Sequence, residues 1–229
     1  MTSKITIAID GFSSTGKSTV AKQLAKELGY IYVDTGAMYR AVALYAIQNN
    51  YINEGDINVE KLIESLDKIN IDFKYNAQLG FSEVYLNGVN VETEIRGMEV
   101  SSYVSKVASI SAVRQKLVAL QQEMGKAKGI VMDGRDIGTV VFPNAELKLF
   151  MTASAETRAQ RRFDELQAKG NTEVSYKEVY NNVVERDTLD TTRTDSPLEI
   201  AKDAIEIDNS NLSREEQFNK ILSLVNAKL

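Results

Sequence analysis

The sequence predicts an α/β protein in which a parallel sheet is flanked by helices. Short apolar runs at residues 5–9 and 30–33 consist largely of β-branched or aromatic side chains, as in strands that are buried on both faces. The segment between them, residues 17–28, has apolar residues at helical spacing and ends before Gly29. Strand, helix and strand in this order form the unit from which parallel sheets are built.

The rest of the chain continues this alternation around one antiparallel piece. Residues 58–93 contain two predicted strands, 71–75 and 82–91, and Asn87-Gly88 within the second one favours a β-hairpin. We expect this piece to be an insertion into the core. The other predicted elements are a helix at 37–48, helical patterns over 96–126, strands at 129–133 and 147–151, helices at 155–169 and 175–186, a strand at 204–208 and a helix at 213–225.

Composition narrows the chemistry. A chain of 229 residues is long enough for one large domain with small insertions. Its net charge of -5 repels nucleic acid and anionic membranes, so we expect neither as a partner, and an anionic ligand needs a local basic site. The sequence has 0 Cys and 0 His, which excludes disulfides, Cys nucleophiles, His-based triads and thiolate or imidazole metal sites. The first apolar run is too short for a signal peptide or a membrane span, so we expect a cytoplasmic protein.

Residues 11–18 read Gly-Phe-Ser-Ser-Thr-Gly-Lys-Ser and match the phosphate-binding pattern G-x-x-x-x-G-K-[ST] at every position. The string leaves a buried-type strand and enters an amphipathic helix, where the N–H groups of a helix N-terminus can meet phosphate oxygens. We expect Lys17 to face solvent in the empty loop and to bridge the β- and γ-phosphates of a bound nucleotide. The alternative is a flexible connection with an exposed lysine.

Such a nucleotide is expected to bind with Mg²⁺. The Ser18 hydroxyl can ligate the ion, and Asp133 ends the apolar run 129–133 as the acid of a Walker B strand does. Both residues are candidates for the metal, directly or through water. Because a carboxylate at the end of a strand is common, the alternative for Asp133 is a solvated side chain.

Four groups of charged residues suggest a second anion. They are Arg40 after Asp34-Thr35, Arg135-Asp136 after Asp133, the helix-face set Arg158, Arg161 and Arg162, and the set Arg186, Asp190 and Arg193. We expect the helix-face arginines to repel one another until a triphosphate arrives, although Glu165 offers them a structural partner. We expect residues 185–193 to be a loop, either solvated or a mobile lid. A solvated helix face and a polar loop are the alternatives for Arg40 and for Arg135-Asp136.

Several segments together resemble the bacterial cytidylate kinase family. The resemblance covers nearly the whole chain in the family's order, and its most specific part is residues 133–143, followed by the phosphate loop and residues 34–40, 94–96 and 185–187. It implies a P-loop NTPase fold of the adenylate-kinase type, which is a five-stranded parallel sheet flanked by helices with an inserted monophosphate-binding subdomain and a lid. It also implies transfer of the γ-phosphoryl group of MgATP to CMP or dCMP, in pyrimidine nucleotide metabolism.

The resemblance further implies how one domain, 1–229, is organised. We expect a core of about residues 1–57, 94–154 and 195–229, a monophosphate-binding insert of about 58–93 and a lid of about 155–194. The expected partners are ATP and CMP or dCMP, and we expect the chain to be a monomer.

Three sets of site residues follow from the resemblance. The ATP-binding set is Gly11, Phe12, Ser13, Ser14, Thr15, Gly16, Lys17, Ser18 and Thr19. The CMP-binding set is Thr35, Arg40, Ser105, Arg114, Arg135, Asp136, Arg186, Asp190 and Arg193, of which Ser105, Arg114 and Asp136 match base-reading positions. The catalytic set is Lys17, Arg135, Arg158, Arg162 and Arg193. The family usually has Pro where this chain has Phe12, commonly has Gly at Ser18 and frequently has Arg at Leu189.

Other functions stay open at this point. A kinase of the same fold could act on another small acceptor, such as UMP, or on a non-nucleotide alcohol, for which Asp34 could serve as the catalytic carboxylate. A GTPase-type switch would need an Asn/Thr-Lys-x-Asp motif, and the nearest string, residues 219–222, lacks the Asp.

Overall fold

The computed structural model describes residues 4–229. In chain order its elements are β1 (Thr6–Gly11), α1 (Lys17–Leu28), β2 (Ile31–Asp34), α2 (Thr35–Gln48), β3 (Ile52–Asn53), β4 (Asp56–Ile57), α3 (Val59–Glu64), β5 (Ile71–Asn76), β6 (Phe81–Leu86), β7 (Val89–Asn90), α4 (Met98–Ala108), α5 (Ser111–Gly125), β8 (Ile130–Gly134), β9 (Leu147–Thr152), α6 (Ala155–Ala168), α7 (Tyr176–Thr192), β10 (Ile205–Asp208) and α8 (Arg214–Asn226). The chain forms two compact units, one made of the chain up to Ile31 with Lys128–Leu229 and the other of Tyr32–Ala127.

The main sheet has five strands in the order β10-β9-β1-β8-β2. The central strand β1 pairs in parallel with β8, where Ile9 lies opposite Asp133, and with β9, where Gly11 lies opposite Met151. All six residues of β1 are buried, as a strand covered on both faces requires. The predicted fold class, an α/β protein with a parallel sheet flanked by helices, is confirmed. The carboxyl ends of β1, β8 and β9 share one edge of this sheet, which is where α/β proteins bind ligands.

The unit Tyr32–Ala127 combines helices with small antiparallel sheets. Its helix α2 is buried over most of its length, and β5, β6 and β7 form a three-stranded antiparallel sheet. Asn87 and Gly88 have φ angles of 49° and 83°, the conformation of a type I′ hairpin turn, so the predicted hairpin is confirmed. Residues 58–93 also hold the helix α3, which the sequence reading missed. Asn58 caps α3 by accepting a hydrogen bond from the backbone N–H of Lys61.

Two helical boundaries differ from expectation. The pattern over 96–126 is split into α4 and α5 at Ser109 and Ile110. Residues 185–193 were expected to be a loop, and this expectation is wrong, because α7 continues to Thr192. The hydroxyls of Thr191 and Thr192 donate to the carbonyls of Asp187 and Thr188, both at 2.7 Å, so these polar residues bond back to the helix instead of ending it. Among residues 4–229, no helix combines the length and apolar character needed to cross a membrane.

Candidate active site

The phosphate loop leaves β1 at a glycine that nothing larger can replace. A Cβ on Gly11 would lie 2.0 Å from the carbonyl oxygen of Met151, and the φ angle of Gly11 is +138°. The loop enters α1 through Gly16, which has a φ angle of +86° and provides no side-chain cap to the helix. The first N–H groups of α1 therefore have no capping side chain at this N-cap position.

The carbonyl groups of the loop are held by donors from the protein. The Asn209 side chain donates to the oxygen of Thr15 at 2.6 Å, and the Arg158 guanidinium donates to the oxygen of Ser13 at 3.4 Å. The Thr15 hydroxyl donates to the oxygen of Phe12 at 3.0 Å. A carbonyl engaged in this way is kept from turning towards a bound anion, which it would repel.

Lys17 is buried, with 5% of its surface exposed, so the expectation that it faces solvent is wrong. Its ammonium group donates to the carbonyl oxygens of Gly11 at 2.8 Å and Phe12 at 2.6 Å, which hold it against the loop. Burial, together with the positive charge of Arg135, lowers the pKa of Lys17 to about 7. Anionic phosphate beside this ammonium would offset both effects.

Ser18 and Asp133 meet at the start of α1. The Ser18 hydroxyl donates to Asp133 Oδ2 at 2.9 Å, so the two predicted metal ligands lie side by side. Within residues 4–229 no group of three or more His, Cys, Asp or Glu side chains could hold a metal ion. Two oxygen donors suit Mg²⁺, which commonly takes one or two protein oxygens and completes its shell with water and substrate phosphates.

Asp10 is a buried carboxylate that the sequence reading treated only as the end of a strand. It accepts hydrogen bonds from the backbone N–H groups of Ile137 at 2.8 Å and Gly138 at 2.7 Å, in the single π-helical turn Ile137–Val141. Burial raises the pKa of Asp10 to about 7, against the effect of these two bonds. Asp10 thus anchors the backbone directly after Arg135 and Asp136.

Arg135, Arg186 and Asp190 form one electrostatic cluster. Arg135 Nε lies 2.8 Å from Asp190 Oδ2. Burial alone would lower the pKa of Arg135, but Asp190 outweighs it and the pKa is raised. Burial and the neighbouring Arg135 lower the pKa of Arg186 to about 10. Arg193 bonds the carbonyl of Ser196 and lies 3.9 Å from Asp136, so the structure brings these predicted residues together.

The arginines of α6 do not form a row of unneutralised charges, and that expectation is wrong. Arg158 pairs with Asp187 at 2.6 Å and lies 5.0 Å from the centre of the Phe12 ring. Arg161 donates to Asn209, and Arg162 pairs with Glu165 at 3.0 Å. Each guanidinium therefore has an acceptor of its own.

A pocket of about 310 Å³ lies beside the phosphate loop. It is lined by Ser14, Gly16, Thr19, Gln23, Arg161, Arg162, Glu165, Leu212, Arg214 and Gln217. Three of these residues are arginines and one is a glutamate, so the lining favours an anionic ligand. Within residues 4–229 the buried hydroxyl of Ser13 has no hydrogen-bond partner, which leaves a donor in the loop for a ligand.

The predicted CMP-binding residues of the second unit lie on its helices. Thr35 is the first residue of α2 and is buried, and Arg40 on the same helix donates to the carbonyl of Ile95 at 3.2 Å. Ser105 is buried on α4. Arg114 on α5 is 2% exposed, donates to the carbonyl of Ala108 at 3.2 Å and lies 5.6 Å from the centre of the Tyr39 ring.

Asp34, the residue before α2, has both carboxylate oxygens engaged. Oδ1 accepts the N–H of Ala37 at 2.9 Å as a helix cap, and Oδ2 pairs with Arg96 at 2.8 Å. Burial acts to raise the pKa of Asp34, but the Arg96 guanidinium outweighs it and the pKa is lowered. A carboxylate held as its anion by a helix N-terminus and an arginine is a poor general base.

A family model described as cytidylate kinase matches residues 7–227. The chain belongs to the cytidylate kinase family. The cytidylate kinase of Flavobacterium johnsoniae is 72% identical over 97% of this chain and 96% of that protein. Those of Flavobacterium psychrophilum and Parabacteroides distasonis are 68% and 63% identical over 97% and 93% of this chain, and over 98% and 93% of their own lengths.

The fold also has likenesses among solved structures. An uncharacterized protein from Eubacterium ventriosum aligns with a TM-score of 0.50 at 12% identity, covering 98% of this chain and 99% of that chain. At this identity the likeness concerns the fold alone. Asp10 and Asn209, which bond to the turn after β8 and to the phosphate loop, are the polar residues that sequence reasoning missed in this cytidylate kinase family member.

Proposed function

We propose that the protein transfers the γ-phosphoryl group of MgATP to CMP or dCMP, giving ADP and CDP or dCDP. The observation that supports this most strongly is the family match over residues 7–227, which includes the phosphate loop and the arginines around it. The relatives at 63–72% identity are cytidylate kinases over more than nine tenths of their lengths.

On the donor side, we assign residues 11–19 to the triphosphate. The carbonyls of the loop are tied to the protein, whereas the N-terminus of α1 has no side-chain cap. Lys17 is assigned to the β- and γ-phosphates, because charged phosphate oxygens are stronger acceptors than the carbonyls of Gly11 and Phe12 that it contacts now. Arg158 and Arg162 are assigned to the transferring group.

Ser18 and Asp133 are the residues that would hold Mg²⁺, directly or through water. The bound ion would neutralise charge on the phosphate oxygens. The pairing of a hydroxyl with a carboxylate at 2.9 Å fits a hard cation that prefers oxygen ligands.

The acceptor needs no general base. A phosphate monoester has a second pKa near 6, so at neutral pH it is mostly a dianion that can attack directly. Thr35, Arg40, Arg135 and Arg193 are assigned to its phosphate, and Arg186 and Asp190 to its sugar. Catalysis is then positioning and charge neutralisation, for which the buried, partly unneutralised arginines are suited.

Base selection is assigned to Ser105, Arg114 and Asp136. Cytosine presents an N4 amine as a donor and N3 and O2 as acceptors, whereas uracil presents an O4 acceptor and an N3–H donor. A carboxylate that accepts from N4 would meet O4 of UMP instead, which leaves both oxygens without a donor. The alternative acceptor UMP is therefore disfavoured, and the low pKa of Asp34 disfavours an alcohol as acceptor.

The test is a coupled assay of ADP release from ATP with CMP, dCMP, UMP, AMP and GMP as acceptors. We expect kcat/KM for CMP and dCMP to exceed that for UMP by roughly 10² to 10⁵. Equal use of UMP and CMP would contradict the base assignment, and no ADP release with any monophosphate would contradict the function.

Replacing the base-reading carboxylate separates the base assignment from the overall reaction. Asp136→Asn should narrow the preference for CMP over UMP, chiefly by lowering kcat/KM for CMP. An unchanged ratio would leave Asp136 as a structural carboxylate that faces Arg193.

Three further features belong to the same proposal. The chain acts as a monomer, the reaction takes place in the cytoplasm, and residues 58–93 and 155–194 serve as monophosphate-binding insert and lid. They rest on the substrates and on the family resemblance.

A further inference from the structure

Asn209 follows β10 and is buried, with 1% of its surface exposed. Its side-chain amide donates to the carbonyl oxygen of Thr15 at 2.6 Å and to the side-chain oxygen of Gln217. Its side-chain oxygen accepts from Arg161 Nη1 at 3.0 Å, and its backbone oxygen accepts from Arg161 Nη2 at 2.9 Å. Its backbone N–H donates to the carbonyl of Thr152 at 3.0 Å.

These bonds connect Asn209 to four separate parts of the first unit: the phosphate loop, α6, α8 and the end of β9. A buried amide whose donors and acceptors are all satisfied fixes the groups around it, because any displacement leaves a buried polar atom unpaired. The two ends of the amide are not interchangeable here, since Thr15 offers only an acceptor and Arg161 offers only donors. The site therefore requires an amide in one orientation.

Both groups that Asn209 holds border the pocket beside the phosphate loop. Thr15 lies between the lining residues Ser14 and Gly16, and Arg161 is itself a lining residue. Both guanidinium contacts of Arg161 reported above go to Asn209, so the place of Arg161 in the pocket wall depends on that residue.

We propose that Asn209 is a positioning residue for the nucleoside triphosphate donor: it keeps the Thr15 carbonyl away from the phosphates and sets Arg161 at the wall of the donor pocket. This inference rests on the proposed function for the identity of the donor. Asn209 acts through Thr15 and Arg161 and has no contact with the acceptor, so its loss weakens binding of ATP and leaves binding of CMP unchanged.

The sharpest variant is Asn209→Asp, which keeps the side-chain shape and the acceptor for Arg161. It places an oxygen opposite the Thr15 carbonyl, while Gln217 can rotate its own amide to donate. We expect the Kd of a fluorescent N-methylanthraniloyl ATP, measured without CMP, to rise about tenfold or more, since an unpaired buried acceptor costs that much. KM for ATP should rise in parallel, and KM for CMP should stay within about twofold of wild type.

A second pair of variants tests the arm that leads to Arg161. Arg161→Met retains much of the apolar stem and should also weaken ATP binding selectively. In a double-mutant cycle with Asn209→Leu, the two losses should be less than additive, because Arg161 acts through Asn209. Asn226→Asp, at the exposed end of α8, controls for an added negative charge in the same unit and should change none of these constants.

Circular dichroism melting decides between positioning and mere stability. The inference is overturned if folded Asn209→Asp binds the ATP analogue as wild type does, or if KM for CMP rises as much as KM for ATP. If Asn209→Asp does not fold, Arg161→Met decides, and unchanged ATP affinity in that variant overturns the inference. Failure of the proposed function looks different, because the wild type would then bind the ATP analogue and phosphorylate no CMP.

Discussion

Two strands of the main sheet end near a carboxylate and lead into a helix, and their junctions are built in opposite ways. After β1 the chain passes through the phosphate loop, and Gly16 enters α1 without a side-chain cap. After β2 there is no loop, since Asp34 ends the strand and caps α2 through the N–H of Ala37. The second junction satisfies its helix internally, and the first provides no such cap.

The charges follow the same division. Asp34 has the guanidinium of Arg96 against it, and its pKa is lowered despite burial. Asp10 has backbone N–H groups but no arginine bonded to it, and burial raises its pKa to about 7. The difference teaches that a helix N-terminus becomes a ligand site where the protein withholds its own cap and anion, not wherever a strand meets a helix.

The largest effect is expected from the glycine that starts the first junction. Gly11→Ala places a Cβ 2.0 Å from the backbone oxygen of Met151, so we expect a loss of more than about 4 kcal/mol in the free energy of unfolding. Gly36→Ala, in the second junction, brings its Cβ only to 3.2 Å from Asp34 and should change stability by less than about 1 kcal/mol. Gly29→Ala, with φ of +64° and open space around it, controls for the backbone angle alone. Urea unfolding measures all three, and similar losses for Gly11 and Gly29 would contradict the close approach.

The next effect concerns the lysine of the uncapped junction. Lys17→Met removes the ammonium while keeping a stem of similar length, and we expect kcat for CMP phosphorylation to fall by about 10² to 10³. The protein should still fold, because the Thr15 hydroxyl continues to bond the Phe12 carbonyl. Lys26→Met, exposed in the last turn of the same helix, is the matched control. Near wild-type kcat in Lys17→Met would show that the loop does not act on the phosphates as proposed.

The contrast between the junctions also shows what the sequence could predict. The phosphate loop is a contiguous string between a strand and a helix, and Asn87-Gly88 is a local turn signal, so both were predicted correctly. The alternation of elements gave the parallel sheet for the same reason. Such features depend on neighbours in the chain, which a sequence displays directly.

The missed features depend on distant partners. Asp10 bonds to the backbone 127 and 128 residues away, and Asn209 bonds to the loop 194 residues away. The burial of Lys17 depends on which acceptors surround it after folding, and the pairing of Arg158 with Asp187 depends on how α6 and α7 pack. Charge patterns alone predicted repulsion there because they do not show where the carboxylates lie.

A smaller effect is expected from the self-capped junction. Arg96→Gln leaves the Asp34 carboxylate without its guanidinium, and we expect a loss of about 2 kcal/mol, reduced from the value for fully buried pairs because a quarter of the Arg96 side chain is exposed. Adding Asp34→Asn should restore most of that loss, since an amide can still cap α2 and needs no counter-charge. If the double variant is as unstable as Arg96→Gln alone, the charge of Asp34 is not the cause. Urea unfolding at pH 7 provides the comparison.

The smallest effect is a difference in pH dependence between the two carboxylates. The pKa of Asp10 is raised from 3.8 to about 7, so between these values the native state binds a proton that the unfolded state does not, and stability falls as pH rises through that window. The pKa of Asp34 is lowered from 3.8, so its contribution is present above about pH 4 and is lost only as pH falls further. The difference in unfolding free energy between wild type and Asp10→Asn should therefore change by about 1 kcal/mol or more between pH 4.5 and pH 7.5, whereas that between wild type and Asp34→Asn should stay flat there and shrink below pH 4. Parallel profiles for the two variants would mean that Arg96 is not what separates the two junctions.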